Sequence, residues 1–224
     1  MFLLLFIMSE HSIKDKTAVV SMSPRTKKQN EQLREDRRRS LLQAAVPLFV
    51  RNGYDGTSTA EVAKAAGVSH GTVFVYFPTK EDLLRAALLE PLPPTLELVR
   101  QLLGSPGSPL ERVSTLARVM LTSFAREGSY LKLFQYVAGL RDRFPELAAE
   151  TTAFSEATIE LLRAVVEEGQ ALGQFLPGDA RRLALFFSGF ISGVSMRYPA
   201  PPEDSIWEDA AQAALRILSN HRGL

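Results

Sequence analysis

Five residues between positions 70 and 76 combine hydrogen-bonding groups with small apolar ones, and they are His70, Gly71, Thr72, Val75 and Tyr76. The His70 ring can donate to or accept from a base edge, and the Thr72 hydroxyl can reach a phosphate or a base. Gly71 allows the backbone to approach closely, and Val75 can contact a thymine methyl group. This mixed face is too polar for a buried connector and too apolar for a solvated one. The alternative for His70 is an exposed cap residue that contacts no base.

Two short helices joined by a tight turn are predicted to position this face. Ser58 and Glu61 have the spacing of a capping box at the start of the first helix. Gly67 ends that helix, because glycine adopts a left-handed conformation without Cβ strain. Ser69 caps the second helix, and Pro78 stops it. The pattern predicts a helix-turn-helix, although two core helices of another α-helical protein are the alternative.

A helix-turn-helix places its second helix in the major groove of DNA, where the N-terminal residues of that helix meet base edges. The first helix begins at Ser58 and Thr59, and its backbone N–H groups form a positive end suited to a phosphate. The sequence therefore predicts base contacts from the second helix and a phosphate contact from the first.

The segment LLQAAVPLFVRNGYDGTSTAEVAKAAGVSHGTVFVYFPTKEDLLRAAL resembles the N-terminal domain of the TetR family of transcriptional regulators. The resemblance covers about residues 36–92 and includes the AGVS, GTVF and YF motifs. It implies phosphate contacts from Tyr76 and Lys80, because the matching positions of the family contact the DNA backbone. Phe74 replaces the Tyr that is common in the family, so the resemblance implies a packing residue without a hydroxyl for phosphate.

The charge of the chain is local rather than global. The formal net charge is only +1, but residues 21–40 carry seven basic and three acidic residues, a balance of +4. This basic segment is interpreted either as an arm that binds phosphates or the minor groove, or as a solvated tail. The chain has no cysteine, which excludes disulfides and thiolate metal sites. We expect a cytoplasmic protein associated with the bacterial nucleoid.

The first residues, MFLLLFIM, are strongly apolar. They are too few to cross a bilayer, which takes about 20 residues, so no membrane partner is expected. One interpretation is an arm that touches a membrane or a partner. The other is an upstream translation start, with Met8 or Met22 as the true beginning, which is favoured because exposed Phe and Leu runs promote aggregation.

The helical patterns continue through the rest of the chain and predict an all-α protein of about nine helices. Residues 1–35 are interpreted as a disordered or mis-started basic arm. Residues 36–92 are predicted to form a TetR-type three-helix domain that contains the helix-turn-helix and binds DNA, with its first helix starting near Asp36. Residues 93–224 are predicted to form a helical domain for effector binding and dimerisation.

The last two helices carry more apolar surface than a single core needs, and Gly189 and Gly193 allow a close helix approach. This favours a four-helix seam between two copies, and the resemblance implies dimerisation through the same helices. The alternative is that this apolar surface belongs to the core of a single chain. A homodimer would bind a palindromic double-stranded DNA operator. The predicted interface residues are Leu185, Gly189, Ser192, Gly193, Met196, Trp207, Ala211, Ala214 and Leu218.

The resemblance also implies a ligand pocket in the C-terminal helices. The candidate lining residues are mainly apolar, as in most ligand pockets. For each of them, the alternative is an ordinary position in the hydrophobic core. No charged pair marks a head group, so the unknown small-molecule effector is expected to be hydrophobic. We expect a repressor released by this ligand, although a few relatives activate instead. The candidate lining residues are Met120, Phe124, Phe134, Tyr136, Phe154 and Phe187.

Two rival functions use different features of the chain. A helical enzyme is disfavoured because the three histidines, His11, His70 and His221, lie in separate parts of the sequence. No Ser/His/Asp set, phosphate loop or metal-spaced cluster occurs, so no catalytic residue, metal or cofactor is expected. A ligand-independent architectural DNA-binding protein would use the same first domain but would lack a cavity in the second.

Overall fold

This computed structural model describes residues 27–126, 128–197 and 205–219, which form ten helices and contain no strand. The prediction of an all-α fold is confirmed. The predictions for the apolar start MFLLLFIM and for the arm before Lys27 concern residues outside these ranges. The helices are α1 Lys27–Gly56, α2 Thr59–Ala65, α3 His70–Tyr76, α4 Lys80–Leu89, α5 Leu92–Leu103, α6 Pro109–Arg126, α7 Gly128–Ala138, α8 Pro145–Ala171, α9 Ala180–Arg197 and α10 Ser205–Leu218.

The chain divides into two compact units, the first ending at Pro91 and the second beginning at Leu92. The first unit contains α1 to α4, and the second contains α5 to α10. The functional assignment of residues 36–92 and 93–224 stays a prediction. Across the described ranges, no helix is both long enough and apolar enough to cross a membrane.

Helix α1 differs from its prediction at its start. It begins at Lys27, whereas the sequence predicted a start near Asp36. The additional turns are exposed and charged, so they lack the apolar stripe that sequence patterns detect. The Gln32 side-chain amide donates to the Asp36 carboxylate at 3.0 Å, a bond between neighbouring turns. Helical geometry breaks at Gly53 (φ 70°, ψ 176°).

The first unit is built on α1 and α4, whose apolar faces pack together. Arg38 of α1 pairs with Glu90 through both of its terminal nitrogens and lies over the Phe77 ring, 5.1 Å from its centroid. This hydrogen bonding raises the pKa of Arg38. Val62 and Ala63 of α2 and Val73 of α3 are buried in the core of the first unit, which holds both helices in place. Its other buried residues are Leu41, Leu42, Ala45, Phe49, Phe77, Leu83, Leu84, Ala87 and Leu88.

In the second unit, α10 packs against α6 and α9 and is largely enclosed by them. Four residues predicted at a dimer interface lie in this internal core, which favours their alternative interpretation as monomer core. Apolar residues cover much of the circumference of α10, and the chain's own helices already bury them. The four are Trp207, Ala211, Ala214 and Leu218, of which Trp207 is the most exposed at 4%.

Two glycines near the turn between α2 and α3 provide a matched test of backbone strain. Gly67 has φ +68°, and a Cβ atom there would meet nothing within 4 Å. Gly67→Ala should therefore lower the free energy of unfolding by about 1–2 kcal/mol through left-handed strain alone. Gly71 is helical and equally open, so Gly71→Ala should raise it by about 0.5–1 kcal/mol. Urea denaturation measures both, and a stabilising Gly67→Ala would contradict the assigned turn.

Candidate nucleic-acid interface

The start of α2 is held by reciprocal hydrogen bonds between Ser58 and Glu61. The Ser58 hydroxyl accepts from the Glu61 backbone N–H at 3.2 Å, and the Glu61 carboxylate accepts from the Ser58 N–H at 2.9 Å. The predicted capping box is confirmed. The backbone hydrogen bond from Ser58 lowers the pKa of Glu61 below its usual 4.5, because the ionised carboxylate is the better acceptor.

The turn after α2 fixes the position at which α3 begins. The Gly67 N–H donates to the Lys64 carbonyl at 3.2 Å, and the Val68 N–H donates to the Ala63 carbonyl at 3.0 Å. With Gly67 at φ +68°, these two bonds form a Schellman motif. The predicted left-handed end of α2 is confirmed, and Ser69 follows it directly as the cap of α3.

Helix α3 has seven residues and is anchored at its start and on one side. The Ser69 hydroxyl accepts from the Thr72 N–H at 3.3 Å and lies 2.7 Å from the Thr72 hydroxyl. Val73 is completely buried, so its side chain sets the rotation of α3 against the first unit. The Phe77 N–H closes the last turn by donating to the Val73 carbonyl at 2.8 Å.

The side of α3 away from Val73 is exposed. It contains His70, Gly71, Phe74 and Val75, while Thr72 and Tyr76 are half-buried at its edges. At 3.6 residues per turn, the four exposed residues span an arc of about 140°. The structure therefore places the five predicted residues of α3 on or beside one continuous surface, named here the α3 surface.

His70 connects the α3 surface to the start of α2. Its Nε2 atom lies 2.9 Å from the Thr59 hydroxyl, within hydrogen-bond distance. The His70 ring also contacts Phe74 edge-on, with centroids 5.1 Å apart and planes at 64°. Thr59, predicted at a phosphate contact, and His70, predicted at a base contact, are thus brought together.

Phe74 is not the packing residue that the sequence analysis predicted. It is 45% exposed, and its neighbour Val75 is 70% exposed. The rotation of α3 explains the difference, because Val73 occupies the inward position and a neighbouring residue is turned by about 100°. The α3 surface consequently carries two exposed apolar side chains next to His70.

Lys80 has a structural role that sequence reasoning missed. Its ammonium group donates to the backbone carbonyls of Tyr54 at 2.7 Å and Thr57 at 3.0 Å, and it lies 4.3 Å from the Tyr54 ring centroid. These contacts hold the connection between α1 and α2, close to the capped start of α2. The signal was not visible in the sequence because the partners are 26 and 23 residues away. The phosphate role of Lys80 stays a prediction.

The predicted ligand-pocket residues have different surroundings in the second unit. Phe187 is fully buried in the hydrophobic core cluster of this unit, and Met120 is a partly buried residue that packs against the cluster. The Phe134 and Phe154 rings contact each other edge-on at 6.0 Å, and Tyr136 is half-buried. The side chain of Phe124 lies outside the described part of the structure. The position of Phe187 favours its alternative interpretation as ordinary core.

Helix α9 exposes an apolar side, named here the α9 surface. Phe186 is 57% exposed, and a Cβ atom added to Gly189 or Gly193 would meet nothing within 4 Å. The five residues of α9 predicted at a dimer interface lie on this side, with Ser192 half-buried and the others exposed. The α9 surface consists of Leu185, Phe186, Gly189, Ser192, Gly193 and Met196.

Comparisons with known proteins agree with this architecture. The profile of the bacterial regulatory proteins of the tetR family matches residues 41–87. The HTH-type transcriptional repressor KstR2 of Mycolicibacterium smegmatis is 25% identical over 182 residues, covering 81% of this chain and 88% of the relative. The fatty acid metabolism regulator protein of Bacillus subtilis is 25% identical over 144 residues, covering 64% and 73%.

Solved structures show the same fold across the chain. KstR2 of Mycobacterium tuberculosis has a TM-score of 0.70 at 22% identity, covering 82% of this chain and 95% of that one. FadR from Bacillus subtilis, solved with stearoyl-CoA, has a TM-score of 0.65 at 21% identity, covering 81% and 97%. AibR, solved with isovaleryl coenzyme A and operator DNA, has a TM-score of 0.65 at 22% identity, covering 82% and 98%.

Two capped helices around a Schellman turn, with the second helix exposed, place this protein in the class of helix-turn-helix proteins. The match over residues 41–87 covers α2, α3 and parts of the helices on either side of them. The helix-turn-helix segment of the chain is therefore similar to that of the bacterial regulatory proteins of the tetR family.

The structural role of Lys80 is tested by removing its charge while keeping an unbranched side chain of similar length. Lys80→Met should lower the free energy of unfolding by about 1–2 kcal/mol, because two carbonyls lose their donor. Lys64→Met removes the same charge from an exposed position of α2 and should change stability by less than about 0.5 kcal/mol. Urea denaturation compares the two variants. Equal effects would show that Lys80 contributes only its charge.

Proposed function

We propose that this protein is a sequence-specific DNA-binding transcriptional regulator, in which α3 reads base edges in the major groove. The observation that carries this proposal is the α3 surface, an exposed arc of donors, acceptors and apolar groups on a helix whose position and rotation are fixed. Such a rigid, exposed helix is what direct readout of base edges needs. His70, Gly71, Thr72 and Val75 are the proposed base-contacting residues.

Phosphate contacts would fix the register of α3 on the duplex. We propose the backbone N–H groups at Ser58 and Thr59 for one phosphate, because the N-terminal end of α2 is positive. Tyr76 lies half-buried at the edge of the α3 surface, where its hydroxyl can reach the backbone of the same groove. Lys80 is the remaining proposed anchor, because an ammonium group has three protons and two of them reach carbonyls.

We propose that the protein acts as a homodimer that pairs through the α9 surface and binds a palindromic operator. An exposed stripe with Leu185, Phe186 and Met196 around two glycines permits close contact with an identical helix. Two copies of α3 related by a twofold axis read two half-sites, which doubles the sequence that one short helix can specify.

We propose that DNA binding is repressive and is released by a small hydrophobic ligand in the second unit. The names of two relatives support this direction, since KstR2 is a transcriptional repressor and FadR was solved with an acyl-CoA. A ligand that favours another separation of the two α3 helices would weaken DNA binding, typically by ~1–3 kcal/mol. Met120, Phe134, Tyr136 and Phe154 are the proposed contacts, with Phe124 between them in the chain.

We propose no catalytic activity or cofactor for this chain, because its relatives are transcriptional regulators. Within the described residues, no group of three His, Cys, Asp or Glu side chains could hold a metal ion. A regulator of this kind acts where the chromosome is, so we propose the bacterial cytoplasm as its location.

The DNA-binding proposal is tested with duplexes selected by the protein from a random pool and measured by gel shift. Tyr76→Ala should weaken binding to selected and random duplexes alike and leave the salt dependence nearly unchanged, because it removes an uncharged phosphate contact. His70→Ala should instead change the selected sequence at one position of each half-site. Wild-type binding that random competitor removes as easily as the selected duplex would contradict the proposal.

The dimer proposal is tested by filling the space above Gly189. Gly189→Leu should raise the dimer dissociation constant at least tenfold, because a leucine side chain at this position blocks the close approach of an identical helix. It should not lower monomer stability, because within one chain the side chain enters open space on the α9 surface. Ala153→Leu makes a similar change at an exposed position of α8 and should leave the dimer intact. Analytical ultracentrifugation measures both variants. A Gly189→Leu chain that dimerises like wild type would move the interface elsewhere.

A further inference from the structure

Phe74 is an exposed aromatic residue to which the proposed function assigns no role. Its side chain is 45% exposed on a helix that buries Val73 completely. The phenyl ring cannot donate or accept a hydrogen bond, so a phosphate contact of the kind predicted for Tyr76 is not open to it. A large exposed apolar side chain in the middle of a proposed binding surface is typical of a contact that is completed by a partner.

The ring of Phe74 is also held in place. The His70 ring packs against it edge-on at 5.1 Å, and the Thr59 hydroxyl lies 2.9 Å from the His70 ring. Edge-to-face pairs of this kind are favoured by the charge distribution of aromatic rings. Phe74 and His70 lie one turn apart on the same side of α3. Any groove that receives His70 therefore receives the Phe74 ring as well.

We propose that Phe74 is a specificity-determining residue whose ring contacts the C5 methyl group of a thymine in each half-site. This inference rests on the proposed function. Among the groups that base pairs present in the major groove, the thymine methyl is the apolar one, and Phe is suited to contact it. The partner of Phe74 is therefore a base that carries a C5 methyl, next to the base that His70 reads.

The test uses duplexes selected by the protein from a random pool, in which each thymine is replaced in turn by uracil. This replacement removes only the methyl group. Wild-type binding should fall about fourfold at the thymine that Phe74 contacts in each half-site, the value expected for one buried methyl group. The Phe74→Ala chain should bind the thymine and uracil duplexes equally at that position, because the contact is already lost.

Two further variants control this experiment. Val75→Ala removes the neighbouring exposed apolar side chain, and it should keep the uracil effect at the thymine assigned to Phe74. Phe74→Leu keeps an apolar side chain on α3, and it should retain at least a twofold preference for thymine over uracil. Circular dichroism confirms that each variant has the helix content of the wild type.

Two outcomes overturn the inference while leaving the proposed function intact. In the first, wild-type protein binds every uracil duplex as tightly as the selected one. In the second, Phe74→Ala weakens binding but keeps the full uracil effect at every thymine. If wild-type protein instead binds selected and random duplexes with equal affinity, the proposed function itself fails, and the role of Phe74 fails with it.

Discussion

The backbone hydrogen bonds around Gly67 determine where α3 begins, and every proposed base contact depends on that position. A helix of seven residues is too short to be stable by itself. It is held because the Val68 N–H bonds to the Ala63 carbonyl, which brings Ser69 into place as a cap. Burial of Val73 then sets the rotation of the helix. Position and rotation together decide which side chains are exposed.

In the same unit, the segment before α2 is held by hydrogen bonds to residues that are distant in the chain. Lys80 binds the carbonyls of Tyr54 and Thr57, and the buried Thr57 hydroxyl donates to the carbonyls of Leu48 and Gly53. These bonds hold the connection between α1 and α2 in one conformation. A rigid connection matters because a base-reading helix tolerates little displacement from its groove.

Local patterns predicted the two caps, the turn at Gly67 and the all-α fold, because each depends on residues a few positions apart. The brace at Lys80 was not predictable, since its partners are more than 20 residues away. The exposure of Phe74 depends on the rotation of α3, which residue type does not reveal. Trp207 and Ala214 were assigned to an interface because a sequence shows how much of α10 is apolar, but not which helices cover it.

We propose that the α3 surface enters the major groove twice on one duplex. Dimethyl sulfate footprinting tests it directly, because this reagent methylates guanine N7 in the major groove and adenine N3 in the minor groove. On a selected duplex, we expect protection of guanine N7 in two clusters, with centres one helical turn of about 10 base pairs or a multiple of it apart. A single cluster, or protection confined to adenine N3, would contradict it.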